Sequence, residues 1–99
     1  MNQYEKDQYE LRLEIDGRIC ECGKPAECRC HRMNNSRMNI AKYGIEIIGH
    51  NMNIVIGCQG CNSKYSISNK PLKIERLVNL INYFGKDRLK KEEIDRIIK

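Results

Sequence analysis

A chain of 99 residues makes one small domain whose burial alone gives thin support. Apolar residues are 40%, with one Phe and no Trp, so a metal or disulfide staple is expected. No apolar run reaches the length of a membrane span, and the net charge of +5 is unevenly spread. Residues 1–16 hold five acids and two bases, residues 17–71 eight bases and three acids, and residues 72–99 eight bases and five acids. A basic excess that begins with the cysteines suits a polyanionic partner, most simply nucleic acid.

Residues 3–16 carry two periods. Tyr9, Leu11, Leu13 and Ile15 alternate like a strand, while Tyr4, Leu11 and Ile15 share a helical face. The Glu, Lys, Gln and Leu content favours a helix, which Asp16-Gly17 stops. A first cysteine knuckle follows, with Gly23-Lys24-Pro25 as turn residues. Ala26 to Arg32 then reads as a short strand. Alternation puts Cys28 and Cys30 on one face and His31 on the other, unless the strand bulges.

Residues 33–52 read as a polar functional connection with one helical turn. Asn53-Ile54-Val55-Ile56-Gly57 reads as a short buried strand, and the second knuckle opens a helix near Asn62. Residues 72–84 form the clearest amphipathic helix, with Ile74, Leu77, Val78, Ile81 and Phe84 inward and Gly85 as stop. Leu89, Ile94, Ile97 and Ile98 suggest a last helix over 91–98. Three segments result: 1–17, 18–71 as the central module, and 72–99.

All six cysteines and both histidines lie in residues 20–62. The N-terminus lacks an apolar secretory core, so an intracellular, cytoplasmic setting with reduced thiols is expected. Clustered Cys then reads as metal binding. Cys58-x-x-Cys61 is a zinc half-site, since two thiolates across a turn fit two corners of a tetrahedron. Cys20-x-Cys22 is the candidate second half, one residue shorter than usual. Cys22, Cys58 and Cys61 are ligands; the fourth is Cys20, with Cys28 as runner-up.

The order of these features resembles the HNH endonucleases, the zinc-knuckle branch of the ββα-metal (His-Me finger) nucleases. Four pieces over residues 18–71 carry the resemblance: the first knuckle running into Gly-Lys-Pro-Ala-Glu; His31-Arg32 on the next strand; Asn53-Ile54-Val55 leading into the second knuckle; and Asn62 directly after it. The implied fold is α+β, a small zinc-stapled, treble-clef-like ββα-metal module with flanking helices. The implied activity is metal-dependent hydrolysis of DNA phosphodiesters, in a protein of bacterial or phage origin.

By the same resemblance His31 is the general base, Asn53 orients it through nearby backbone, and Asn62 ligates a catalytic divalent ion (Mg²⁺, Mn²⁺, Ni²⁺ or Zn²⁺). The position before the base, usually Asp or His and a second ligand of that ion, is Cys30 here; thiolate suits softer ions. Arg32, Arg37, Lys42 and Lys64 are expected on flanking phosphates. His50, three residues before Asn53, is a further candidate for phosphate or metal. The alternative is an inactive module of the same fold that binds nucleic acid.

Overall fold

The computed structural model describes residues 2–85 and 87–99. Helix α1 spans Gln3–Asp16. Asn2 caps it by accepting the Glu5 N–H, and Gly17 ends it at φ +82°, a conformation that suits glycine. Strand β1, Cys28–His31, pairs antiparallel with β2, Ile54–Gly57. Helices α2 (Arg37–Tyr43) and α3 (Ile45–Ile48) fill the connection between the strands. A 3₁₀ helix, Gln59–Tyr65, follows β2, and then come α4 (Pro71–Phe84) and α5 (Lys91–Ile98). The architecture is therefore α+β: helices around a two-stranded sheet. Among the described residues no helix is long and apolar enough to cross a membrane.

Two expectations are revised. The connection over 33–52 holds two short helices, because Ser36 caps α2 through the Asn39 N–H and Gly44 separates it from α3. The helix expected near Asn62 is a 3₁₀ helix that begins at Gln59, inside the knuckle; the Cys61 N–H to Cys58 carbonyl bond sets its tight turn. The helix expected over 3–16 is present, with Leu13 as its buried apolar anchor.

Apolar burial divides in two. The larger cluster gathers Met33, Ile48 and Met52 from the connection with Leu77, Leu80 and Ile81 of α4 and Ile94 and Ile98 of α5. The smaller surrounds the cysteines and includes Val55 and Tyr65. Gly57 lies where this second cluster is tightest: a Cβ there would come within 3.0 Å of the Tyr65 ring and 3.1 Å of Cys30 Sγ.

Two buried guanidiniums tie the elements together. Arg12 pairs with Asp16 at 3.0 Å and donates to the carbonyls of Asn51 and Leu89. Arg32 donates to Asp95 of α5 at 2.6 Å and to the Met52 carbonyl at 3.2 Å. Removing one partner of a buried ion pair costs about 3–5 kcal/mol. The Asp95 side chain is 35% exposed, so screening trims the effect. We expect Asp95→Asn to destabilise the fold by about 1–2 kcal/mol, read as a lower urea midpoint at unchanged slope.

Candidate functional site

The two knuckles converge. The sulfurs of Cys20, Cys22, Cys58 and Cys61 all lie within 4.8 Å of one another, and Cys22 Sγ is 3.6 Å from Cys58 Sγ. Four thiolates about 2.3 Å from one zinc ion stand about 3.8 Å apart at tetrahedral corners, so this donor set fits a structural Zn²⁺. Local backbone builds each half. The Cys20 N–H donates to the Lys24 carbonyl and the Gly23 N–H to the Cys20 carbonyl, which closes the first turn despite its shorter spacing. Hydrogen bonds, that from the Cys22 backbone foremost, lower the Cys20 thiol to about 6. Burial pushes Cys61 up to about 12. A bound cation removes that conflict, because it stabilises all four thiolates.

Cys30 is closed off from solvent. Its sulfur lies 3.3 Å from Cys28 Sγ and 4.0 Å from the Cys58 carbonyl oxygen. Burial, with Cys28 beside it, raises its thiol to about 12. Cys30 stands outside the group of four converging sulfurs and packs as a small apolar side chain. The pairing Cys30↔Val55 and His31↔Ile54 is regular, so the two side chains point to opposite faces. Asn62 sits exposed on the 3₁₀ helix. Cys30 thus faces away from His31 into the cysteine cluster, while Asn62 lies at the surface.

His31 faces α1. Its Nε2 lies 2.6 Å from Glu5 Oε1, and both side chains are mostly buried. Glu5 Oε2 is 3.6 Å from Arg29 Nη1, and the Arg29 guanidinium stacks 5.4 Å over the Tyr9 ring. Arg29 Nη1 is buried and has no hydrogen-bond partner among the described residues. These groups line a cavity of about 670 Å³ that also includes Asn35. Sequence reasoning missed Glu5 and Arg29. Glu5 lies 26 residues upstream of His31, in a segment outside the resemblance. Arg29 did share the strand face of His31, which was a usable signal.

Asn53 is fully buried and satisfies its whole side chain on backbone. Its Oδ1 accepts the Met33 N–H at 2.7 Å, and its Nδ2 donates to the carbonyls of Met33 and Ile48 at 3.1 and 2.7 Å. The Arg32 N–H donates to the Asn53 carbonyl at 2.8 Å. Asn53 thereby pins the backbone two residues past His31.

Two other candidates are turned inward. Arg32 is buried and committed to Asp95, so it does not reach a phosphate. His50 is buried, with Nε2 donating to the Gly85 carbonyl at 2.8 Å and Nδ1 accepting the Met52 N–H at 3.1 Å. It belongs to the packing between the connection and the end of α4. Arg37 and Lys42 are exposed on α2, and Lys64 is exposed but 3.6 Å from Glu21.

Cys58→Ser should lower zinc content and melt the central module, whereas Cys30→Ala should keep one zinc per chain; metal analysis with circular dichroism checks both. Burial lowers the His50 pKa, so the folded state keeps it neutral while the unfolded chain takes a proton below about pH 6.5. Its share of stability is present above that pH and is lost as pH falls toward the lower folded value. Urea midpoints at about pH 7.5 and about pH 5.5 should separate less in His50→Gln than in the parent, the zinc contribution being common to both. Comparison with protein families, curated proteins and solved structures gives no match.

Proposed function

We propose that the chain is a zinc-stapled nuclease of the HNH type that hydrolyses DNA phosphodiesters, with His31 as general base. The observation that carries the reading is the three-bond lock made by Asn53 on the backbone after His31. A base must be held in place for proton transfer to be efficient, and this lock supplies the orienting role that the resemblance assigns to a central asparagine. The knuckles that bracket β1 and β2 support the same reading, because the four thiolates hold the two strands in register.

In this mechanism Glu5 and Arg29 join the set. Glu5 accepts the Nε2 proton of His31, which leaves the Nδ1 lone pair to take the proton of an attacking water. Arg29, whose side chain is 25% exposed in the same cavity, meets the scissile phosphate in place of Arg32.

A second reading, a non-catalytic zinc module that binds nucleic acid, draws on two observations. Cys30 faces away from His31, and the His31 side chain is 9% exposed under α1. Plasmid nicking across Mg²⁺, Mn²⁺, Ni²⁺ and Zn²⁺ separates the readings. The parent should nick, and His31→Ala should lose at least about 100-fold in rate while keeping its zinc and its DNA affinity. A parent inert with every ion would leave the binding module. The role of Glu5 has its own readout. ¹⁵N shifts of the His31 ring at neutral pH should report the Nε2–H tautomer in the parent and in Glu5→Gln, and a tautomer mixture in Glu5→Ala.

A further inference from the structure

A cavity of about 230 Å³ lies on the other side of the fold, between the 3₁₀ helix, the start of α4 and the end of α5. It shares no lining residue with the cavity around His31. Six cations border it and only two acids. Glu21 accepts from Lys91 at 2.7 Å and faces Lys64 at 3.6 Å, and Asp95 is taken by Arg32. Lys70, Lys73 and Lys99 make no ion pair among the described residues.

Two of these lysines stand where the fold disfavours them. Lys70 is the N-cap of the 14-residue helix α4 and Lys73 lies in its first turn, which carries no acid. The helix macrodipole puts partial positive charge at that end, where carboxylates stabilise and cations do not. Local conflict of this kind is expected at sites kept for binding. The unpaired groups are lysines, point charges that suit phosphate oxygens without reading bases.

We infer that this groove is a second phosphate-backbone site, which holds duplex DNA through Lys70, Lys73 and Lys99, away from the His31 centre. The inference rests on the nucleic-acid reading above but not on catalysis. Each released phosphate contact contributes about 0.9 to the slope of log K against log salt. Binding of a labelled DNA duplex should therefore weaken at least about tenfold in K70E/K73E at low salt, with a slope smaller by about 2. The matched control R76E/R96E carries the same net charge and alters exposed arginines of α4 and α5 that line neither cavity; it should lose about threefold or less. Acids at the start of α4 suit the helix, so K70E/K73E should melt at or above the parental temperature, and K70Q/K73Q gives an independent variant.

Equal losses in the two double variants would reduce the effect to net charge and overturn the groove. So would parental affinity and slope in K70E/K73E, or a parent that does not bind the duplex. Anionic vesicles bound as tightly as DNA would also overturn it, in favour of a membrane-surface site. Nicking rates at saturating protein judge the nuclease reading separately: a working groove on an inert chain sinks only catalysis, and nicking that K70E/K73E retains alongside parental DNA affinity sinks only the groove.

Discussion

The convergence of four cysteine sulfurs is the constraint on which the rest depends. A two-stranded antiparallel pair of four residues each is marginal by itself in water. Here its ends are joined by knuckles, one running into β1 and one leaving β2. The ladder also seats His31 opposite Ile54 and places Asn53 one residue before that pair. A structural zinc held by these sulfurs would do more than add stability. It would fix the register that brings the Asn53 amide to the backbone beyond His31. Four sulfurs this close together make a donor set for one soft cation.

The second organising feature is the pair of buried arginines. Arg12 joins α1 to the connection and to the segment before α5; Arg32 joins the end of β1 to α5. Each spends its donors on carbonyls and a carboxylate instead of on solvent, as a buried guanidinium must. They close the gap between the apolar cluster of α4 and α5 and the small cluster around the cysteines. Lys91 adds a third tie, stacking over the Tyr65 ring at 4.6 Å while it pairs with Glu21 of the first knuckle. The C-terminal helices are thus bound to the knuckles by charge as well as by apolar packing.

How much was legible follows from range. Local signals carried well: the Ile74–Leu77–Val78–Ile81 period gave α4, the Cys spacing gave the four sulfurs that converge, and alternation put Cys28 and Cys30 opposite His31. Signals that depend on tertiary contact did not. Arg32 reads as a surface cation in sequence, and only Asp95, 63 residues away, turns it inward. His50 reads as a free imidazole until the Gly85 carbonyl is seen to accept from it. Glu5 is one of five acids in an acidic segment, and nothing local marks it as the residue that meets His31. The 3₁₀ helix was missed because propensity gave no reason to prefer its tighter turn; the knuckle geometry imposes it.

Strand parity carries the last step. Residues 30 and 31 occupy successive positions of a regular ladder, so their side chains leave opposite faces. With this backbone, an oxygen ligand placed at 30 would be buried beside the four thiolates, where desolvation and like charge both oppose a carboxylate. The oxygen donors on the His31 face come instead from another element, α1. Its early acids make that face polar, and its Arg12 and Leu13 anchor it to the core. The segment with no counterpart in the resemblance is therefore the one that completes the surroundings of His31. A centre built this way depends on the docking of α1, so loosening that helix would disperse the His31–Glu5 pair even with every residue of the central module in place.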